Sequence, residues 1–585
     1  MISSLKKIFY LLTVKDRKKF AYLILLTFFF SIFELISIAS ILPFITVLTK
    51  PELIETNLFL SKFFYLTSYI GVANKQQFIF ILGLIFIILF ILSIVIRSTA
   101  IYLQIKFVQM QEYSIGRRLV EGQLSQSYRW FLKRHSADLG KNILSDVLFV
   151  IANGIKPCIE IISKSLITIL IIIFLFLINP QATLILGLLF FLIYGSIFFI
   201  VKKIVGKLGK ERMENNHIRS RLITEFYGGI KQIKINRLEK IYIRKFSDLS
   251  YGYARNTSLA YILGVMPRYL LEAFTLSFAV MSIIFFIGKD QSFIDILPLI
   301  SVYIFSGFRL LPMFQQIYNS LVQLTFVKKS VDNLNNEFKN LDEYEYSEND
   351  HLVVLPFNEK ISLKNVCFNY PGNTKQVLSN LNLDIAYKST IGIMGATGSG
   401  KTTIIDIING LLKATHGTLE IDGKVITAQN KSSWQKNIGY VSQDIFLNDD
   451  TIIANIAMNK DIDLDKIIKV CKVANIHNFI KNLPQKYHSL VGERGKKLSG
   501  GQIQRIGIAR ALYNDRKVLI LDEATSALDD ITQNMIMEAI QKLKNKITII
   551  LISHRLEVFN KCDIVYKIDK GEIKKIMTFP EIIKN

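Results

Sequence analysis

The sequence predicts a membrane domain of six α-helical spans with long cytoplasmic helical extensions, followed by an α/β domain built around a phosphate-binding loop. Three observations predict this order. Long stretches with almost no charge recur within the first 330 residues, a strand, glycine loop and helix pattern surrounds Gly395 to Thr402, and an apolar strand ends in Asp522 and Glu523. About 20 apolar residues cross a bilayer, and carboxylates at a strand end mark a ligand site in an α/β sheet.

Composition supports a membrane protein. The chain of 585 residues carries 71 Lys and Arg against 47 Asp and Glu, for a net charge of +24, and half of its residues are hydrophobic. This balance favours a membrane protein with a basic cytoplasmic side over a nucleic-acid binder, so no nucleic-acid partner is expected. The four cysteines lie far apart and predict reduced, structural thiols rather than a metal site or disulfide framework: Cys158, Cys367, Cys471 and Cys562.

The apolar runs define the predicted domains. The first run is too long for a signal-peptide core and should stay as an anchor. A turn signal at Asn179-Pro180-Gln181 divides the third span from the fourth. Residues 331–351 are predicted as a linker and 352–585 as the α/β domain, while Leu58 to Ile70 reads equally well as an interfacial helix or as an ordinary loop. The six predicted spans are residues 20–49, 78–96, 165–179, 182–201, 261–288 and 294–326.

Basic residues predict the orientation. The flank before the first span carries six Lys or Arg between Lys6 and Lys19, and the segment from Lys202 to Lys245 carries many more, whereas the turn at Asn179 has none. The positive-inside rule therefore places both termini and both long polar segments in the cytoplasm. Six spans return the chain to the side where ATP is available.

The phosphate loop is the most specific motif. Gly395, Gly400, Lys401 and Thr402 have the required spacing, between the short apolar segment Thr390 to Met394 and a helical pattern. Lys401 would reach the β- and γ-phosphates of ATP, and the Thr402 hydroxyl would hold Mg2+. The alternative is a chance glycine turn, which the strand and helix on either side disfavour. The predicted nucleotide-binding residues here are Gly395, Ala396, Thr397, Gly398, Ser399, Gly400, Lys401, Thr402 and Thr403.

The acidic strand end predicts the hydrolytic centre. Val518 to Leu521 are apolar, and Asp522 and Glu523 follow. Asp522 would hold Mg2+, directly or through water, and Glu523 would polarise the attacking water. A strand merely capped by acids is the alternative, but the segment Thr525 to Asp529 that follows directly makes chance improbable.

A third motif carries a family resemblance. Leu498-Ser499-Gly500-Gly501-Gln502 lies between the phosphate loop and the acidic strand, and this arrangement resembles that of ATP-binding cassette (ABC) proteins over residues 361–574. The resemblance implies that Tyr370 stacks on adenine. It also implies that Gln443 contacts Mg2+ or water and that His554 contacts the γ-phosphate. Val491 to Gly495 resembles a loop of the exporter branch.

The resemblance also implies a dimer. In this family the signature residues, here Ser499, Gly500, Gly501 and Gln502, complete an ATP site on a second subunit. A helix N-terminus with glycine N–H groups is a physically reasonable anion site. With one cassette and six spans, the chain resembles a half-transporter of the MsbA-like exporter fold that works as a homodimer. Tyr128 to Arg134 and Tyr227 to Ile233 are candidate coupling helices, although the cytoplasmic helices could be inert spacers.

Shorter motifs resemble one branch of the family. Phe33 to Ile45, Pro267 to Glu272 and Arg309 to Pro312 look like segments of PglK-type lipid-linked oligosaccharide flippases of the bacterial inner membrane. The favoured interpretation is a flippase for a polyprenyl-pyrophosphate glycan in protein glycosylation. An exporter of a peptide, lipid or drug is the second interpretation, and an ATP-driven regulator without cargo is the third.

Four charged residues in the spans are the candidate substrate site. At about 1.5 Å per residue, Glu34, Glu272 and Arg309 fall roughly 22–24 Å from the outer face, and Arg268 falls one turn deeper. Charges at such depth normally face a cavity or each other. One hypothesis is that Arg268 and Arg309 hold a pyrophosphate, and the alternative is a structural ion pair of Arg309 with Glu34 or Glu272.

Overall fold

The computed structural model describes residues 2–69, 72, 74–270, 272–273, 277, 293–341, 353–370, 372, 375–458, 462–524 and 530–584. The chain forms two compact units, Met1–Gln126 with Arg134–Tyr346, and Ser127–Lys133 with Ser347–Asn585. The first unit is helical and the second is α/β, as the fold-class prediction requires. Much of the predicted span 261–288, residues 342–351 of the predicted linker and the segment Thr525 to Asp529 lie outside the described residues.

The first unit is built from long helices. Among the described residues, five helical stretches are long and apolar enough to cross a membrane: Val14–Thr49, Lys75–Leu124, Ser136–Ile178, Pro180–Gly228 and Leu297–Asn340. The helices of residues 2–340 are α1 (Ile2–Leu11), α2 (Val14–Ala39), α3 (Ile41–Thr49), α4 (Leu53–Thr56), α5 (Leu58–Ser68), α6 (Lys75–Leu124), α7 (Tyr128–Phe131), α8 (Ser136–Lys141), α9 (Val147–Val150), α10 (Lys156–Ile178), α11 (Pro180–Gly228), α12 (Ile230–Ile235), α13 (Glu239–Val265) and α14 (Phe293–Asn340), with π-helical turns at Asn142–Asp146 and Ile151–Ile155.

Two helix boundaries follow from proline chemistry. The first span was predicted as one helix over 20–49, but it divides at Ser40 into α2 and α3. Pro43 is the reason, because its ring clashes with the carbonyl four residues earlier, at Ala39, and cannot donate to it. At the predicted turn, the Asn179 side chain accepts a hydrogen bond from the N–H of Ala182, and Pro180 occupies the first helical position, so α11 begins there.

The last helix of the first unit is longer than the sequence predicts. Residues 331–340 were predicted as linker because they are rich in Asn and Asp, but α14 continues to Asn340. This polar segment nevertheless has a buried apolar face, since Val331 is 0% exposed and Leu334 is 2% exposed. The side chain of the buried Asn335 donates to the Val331 carbonyl at 2.9 Å, so that its amide is accommodated within the helix.

The second unit contains two sheets. One is antiparallel with strand order β2-β1-β4-β5, and the other has order β10-β9-β3-β8-β7-β6, parallel except for the edge strand β10. The strands are β1 (Lys360–Phe368), β2 (Leu378–Ala386), β3 (Thr390–Gly395), β4 (His416–Ile421), β5 (Lys424–Val425), β6 (Ile438–Val441), β7 (Val518–Asp522), β8 (Thr548–Ile552), β9 (Ile564–Asp569) and β10 (Glu572–Met577).

Helices complete the second unit. They are α15 (Lys401–Ile408), α16 (Lys431–Gln435), α17 (Ile452–Ala457), α18 (Leu464–Val473), α19 (His477–Lys481), α20 (Gly500–Tyr513), α21 (Asp530–Gln541) and α22 (Phe579–Lys584), with 3-10 turns at Lys486–His488, Glu493–Gly495 and Leu556–Lys561. Apart from the partly buried Met394, the apolar residues of β3, β7 and β8 are buried on both faces of the parallel sheet. This order places the carboxyl ends of β3, β8, β7 and β6 side by side, which is where ligands bind in such sheets.

Candidate nucleotide site and membrane charge cluster

The phosphate loop has the strand, loop and helix context that the motif predicts. β3 ends at Gly395, and α15 begins at Lys401. Gly398 and Gly400 have φ angles of +80° and +105°, in the left-handed region that favours glycine. A Cβ on Gly395 would lie 2.4 Å from the carbonyl oxygen of Ile568, so this backbone approach also requires glycine. These glycine conformations allow a loop to turn its N–H groups toward an anion, although the N–H of Ser399 donates to the Ala396 carbonyl at 3.1 Å.

Lys401 lies across the loop that it follows. Its Nζ donates to the carbonyl oxygens of Gly395 at 2.8 Å and Ala396 at 3.0 Å. Burial lowers the pKa of Lys401, while the negative charges of Glu523 and Asp522 oppose that shift. A buried ammonium close to carboxylates can also form charge-assisted hydrogen bonds to the phosphate oxygens of a bound nucleotide.

Tyr370 contacts the start of α15. Its hydroxyl lies 3.1 Å from Oγ1 of Thr403, and its ring packs edge-on against Phe368 with centroids 5.0 Å apart. The aromatic residue predicted to face adenine is therefore adjacent to the helix that carries the phosphate loop. The stacking itself stays a prediction.

Asp522 is a buried carboxylate with few compensating contacts. It is 6% exposed, and burial raises its pKa, an effect that the neighbouring Glu523 increases. The hydroxyl of Tyr440 donates to its Oδ2 at 3.2 Å, and this bond lowers the pKa in part. Sequence reasoning missed Tyr440, although its place in β6, three residues before Gln443, is a signal that could have identified it.

Glu523 lies between the other two predicted hydrolytic residues. Nε2 of Gln443 donates to its Oε2 at 2.9 Å, and Nε2 of His554 lies 2.5 Å from its Oε1. Each residue follows a different strand, because Gln443 comes after β6, Glu523 after β7 and His554 after β8. The structure thus brings together three residues that are far apart in sequence. An oriented carboxylate of this kind can accept a proton from water.

The oxygen atoms of this site suit Mg2+, which does not need a site built entirely from protein ligands. Thr402, Gln443 and Asp522 offer hydroxyl, amide and carboxylate oxygens, and Mg2+ typically takes one or two carboxylates and completes its shell with water and substrate phosphate. Among the described residues, no group of three or more His, Cys, Asp or Glu could hold a metal ion alone. A dication would also relieve the repulsion between the buried Asp522 and Glu523.

The signature residues form the N-terminal cap of a helix. Oγ of Ser499 accepts from the N–H of Gln502 at 3.4 Å, and the N–H of Ser499 donates to Oε1 of Gln502 at 2.9 Å. This reciprocal capping box opens α20. Within the described part of the chain, no hydrogen bond joins Ser499, Gly500, Gly501 or Gln502 to the phosphate loop.

The membrane charges separate into two groups. Nη1 of Arg309 lies 3.4 Å from Oε1 of Glu34, which is 4% exposed, and Nη1 of Arg97 lies 3.8 Å from the same oxygen. Nε of Arg268 instead contacts Oε1 of Glu272 at 2.6 Å, one turn away on the chain. No ion pair joins these two groups in the residues that the structure describes, so an Arg309–Glu272 pair is not formed there.

Arg97 was not among the predicted site residues. Its signal in the sequence is its position directly after the charge-free segment Phe78 to Ile96, at the start of the polar part of α6. Lys164 of α10 lies within electrostatic range of Arg97 and Glu34. We call Glu34, Arg97, Lys164 and Arg309 the membrane charge cluster. It contains three cationic side chains and one buried anion, and a second acid, Glu160, also acts electrostatically on Lys164.

Comparison with known proteins matches both units. Residues 378–526 match the family model described as "ABC transporter", and residues 23–306 match "ABC transporter transmembrane region". The fold is that of an ABC exporter. A solved structure of a bacterial Atm1-family ABC exporter with ATP bound aligns with a TM-score of 0.74 over 97% of this chain and 96% of that chain, at 21% identity.

Similar sequences include named exporters. The chain is 39% identical over 235 residues to the leukotoxin export ATP-binding protein LtxB of Aggregatibacter actinomycetemcomitans, covering 40% of this chain and 33% of that protein. It is 40% identical over 225 residues to the putative multidrug export ATP-binding/permease protein SAB1799c of Staphylococcus aureus, covering 38% of this chain and 39% of that protein. The matched segment thus spans between a third and two fifths of these relatives.

Proposed function

We propose that this chain, which combines the transmembrane region and the ATP-binding domain of an ABC exporter half-transporter, works as a homodimer that hydrolyses ATP to move a substrate across the bacterial inner membrane. The observation that carries the proposal is the position of Glu523, held by Gln443 at 2.9 Å and His554 at 2.5 Å beside a phosphate loop. These three residues each follow a different strand, and their polar side chains meet at one point.

Each residue has a physical role in hydrolysis. The N–H groups of the phosphate loop and Lys401 bind the β- and γ-phosphates, and Glu523 orients the attacking water and accepts its proton. Mg2+, which Thr402, Gln443 and Asp522 would hold, supplies positive charge to the phosphate oxygens. His554, adjacent to Glu523, would hold the γ-phosphate, and Tyr370 would stack on adenine.

A homodimer accounts for the signature residues. Ser499 and the following glycines form an exposed helix N-terminus that has no hydrogen bond to the phosphate loop of its own chain in the described residues. A helix N-terminus attracts anions, so a second copy of the chain could bring it to the γ-phosphate. The basic flanks predict that both termini and the ATP-binding domains lie in the cytoplasm.

The ATPase proposal is tested with full-length protein in lipid nanodiscs. We expect nucleotide binding in EDTA and in Mg2+, and hydrolysis only with Mg2+. Lys401→Ala should weaken binding in both conditions, because it removes the phosphate-directed ammonium. Binding of a fluorescent ATP analogue and phosphate release are the measurements. Failure of wild-type protein to bind ATP would overturn the proposal.

For the substrate, we propose a polyprenyl-pyrophosphate-linked oligosaccharide that the protein flips. The membrane charge cluster supports an anionic headgroup, because Arg309 and Arg97 both approach one oxygen of Glu34, and Lys164 adds a third cation. Arginine has a planar fork that makes paired hydrogen bonds to phosphate oxygens. Charges inside a membrane are costly and are typically retained for a ligand pathway or for each other. Arg268, with Glu272 as its neighbour, is a second proposed contact for the headgroup.

The alternative is export of a peptide, lipid or drug. The names of the similar proteins, which refer to leukotoxin export and multidrug export, favour it. Because those matches cover 38–40% of this chain, they support the alternative only weakly. A regulator without cargo is the third interpretation.

One panel separates these interpretations. Proteoliposomes are loaded in parallel with a fluorescent lipid-linked glycan, a phospholipid, a cationic drug and a peptide, and ATP-dependent movement is measured for each. We expect movement and ATPase stimulation with the glycan alone. Movement of the drug or peptide but not the glycan would overturn the flippase proposal. ATP hydrolysis without movement of any substrate would favour the regulator.

A further inference from the structure

The buried acid at the end of β7 is held by one phenol. The hydroxyl of Tyr440 donates to Oδ2 of Asp522 at 3.2 Å. The two strands pair in parallel, with Tyr440 beside Ile520, so Tyr440 reaches along the neighbouring strand toward its carboxyl end. In the described residues, no other side chain donates a hydrogen bond to this carboxylate.

The charged neighbours of Asp522 act on it without a hydrogen bond to it in the described residues. Glu523 follows it directly and repels its negative charge, Lys401 attracts that charge, and the charge of Asp522 acts in turn on Asp406 of α15. Asp406 comes four residues after Thr402, so both side chains lie on one face of the helix. Lys401 donates to loop carbonyls. Among these neighbours, the phenol of Tyr440 is therefore the group that can fix the orientation of Asp522.

We propose that Tyr440 is a positioning residue that holds one oxygen of Asp522, so that the other oxygen is oriented toward the proposed Mg2+ site. This inference rests on the proposed function. A carboxylate that is held in one orientation loses less freedom when the metal is bound, and so binds it more tightly. The bond should therefore contribute to the Mg2+-dependent part of nucleotide affinity and not to the part that the phosphate loop supplies.

The test is Tyr440→Phe, which removes the hydroxyl and keeps the ring. The matched control is Tyr566→Phe in β9 of the same sheet, because the Tyr566 hydroxyl donates to the Asp384 carbonyl at 2.7 Å and not to Asp522. Binding of a fluorescent ATP analogue is measured in EDTA and across a Mg2+ titration. A direct count of bound Mn2+ by electron paramagnetic resonance provides a second measurement.

We expect Tyr440→Phe to bind ATP normally in EDTA, and to need about 10- to 150-fold more Mg2+ or Mn2+ for half-saturation, the range for one lost hydrogen bond to a charged group. Tyr566→Phe should match wild type in both conditions. A purely structural role for Tyr440 would weaken binding equally in EDTA and Mg2+, and would overturn the inference, as would an unchanged metal requirement. Failure of wild-type protein to bind Mg2+ with ATP would instead overturn the proposed function.

Discussion

The guanidinium of Arg309 lies 3.4 Å from the carboxylate of Glu34, and this carboxylate is shared, because Arg97 approaches the same oxygen at 3.8 Å. Glu34 is 4% exposed, so it is neutralised by cations that lie within the first unit. Lys164 adds a third cation and Glu160, which also acts on Lys164, adds a second acid, so the positive charges exceed the negative charges by one. A simple structural ion pair would not need this excess, whereas an anionic headgroup would.

Arg309→Gln should abolish substrate stimulation and transport while sparing basal ATPase activity. Neutralising Arg309 also costs stability, by less than the roughly 3–5 kcal/mol of an isolated buried pair, because Arg97 still approaches Glu34 at 3.8 Å. The double variant Glu34→Gln with Arg309→Gln removes both charges of the pair and should recover most of that stability. Thermal unfolding and glycan flipping are measured on both variants.

The double variant decides between the two interpretations of the pair. If Arg309 only neutralises Glu34, the double variant recovers transport together with stability. If Arg309 binds the substrate, stability returns and transport does not. Arg309→Lys is the control for charge, and it should transport poorly, since a lysine lacks the paired hydrogen bonds of the guanidinium.

Glu523→Gln should bind ATP but hydrolyse it about 100- to 10,000-fold more slowly, the usual contribution of a general base. The amide can keep contacts with Gln443 and His554, so the site should remain assembled and hold two closed copies together. Phosphate release and nucleotide occlusion are the measurements. Glu572→Gln, at an exposed acid of β10, controls for the loss of one negative charge. Near-normal turnover of Glu523→Gln would remove Glu523 from its proposed role.

The sequence predicted most of the fold because its signals are local. Uncharged runs predicted long apolar helices, of which the described residues contain five, and Asn179-Pro180 predicted a helix boundary that the structure confirms. The division at Ser40 needed the clash between Pro43 and Ala39 to be weighed against a continuous apolar run. The helical residues 331–340 could not be predicted from composition, because their buried side, with Val331 and Leu334, becomes visible only through packing.

The residues of the nucleotide site are predicted from motifs with fixed spacings, and their roles stay predictions. The supporting contacts of the site were not predicted, because a hydrogen bond such as Tyr440 to Asp522 depends on which strands are neighbours. In the membrane charge cluster, too, the contacts between side chains depend on which helices are neighbours. The depth of Glu34 and Arg309 stays a prediction from helix geometry, whereas the approach of Arg97 depends on how α6 packs against α2.

Asp406→Asn should stabilise the protein at pH 8 and much less at pH 4.5. Burial, with Asp522 nearby, raises the pKa of Asp406 from 3.8 to about 6. Between these values the folded chain holds more protons than the unfolded chain, so stability falls as the pH rises through 6, by no more than about 3 kcal/mol. Asparagine cannot ionise, so Asp406→Asn removes this loss of stability at high pH.

The measurement for Asp406→Asn is the midpoint of thermal unfolding in detergent with EDTA, at both pH values. Asp449→Asn, at an exposed acid of the same unit, is the charge control and should show no such difference. An equal shift at pH 8 and pH 4.5 for Asp406→Asn would contradict the assigned titration, because an asparagine that merely packs better stabilises the protein at any pH.

Ser499 should act across the boundary between two copies of the chain. A mixed dimer is prepared with Lys401→Ala in one copy and Ser499→Arg in the other, both in the Glu523→Gln background that retains nucleotide. If each ATP site combines the phosphate loop of one copy with the signature of the other, one site carries both changes and the second carries neither. We then expect one occluded nucleotide per dimer.

In a second mixed dimer, where one copy carries both changes and its partner neither, each site is damaged once and occlusion should be lost. The opposite result, with occlusion retained only in the second dimer, would show that each site is built within a single chain. A large arginine at the helix N-terminus could also unfold α20, so Ser499→Ala, which removes the cap and adds no bulk, is measured in parallel.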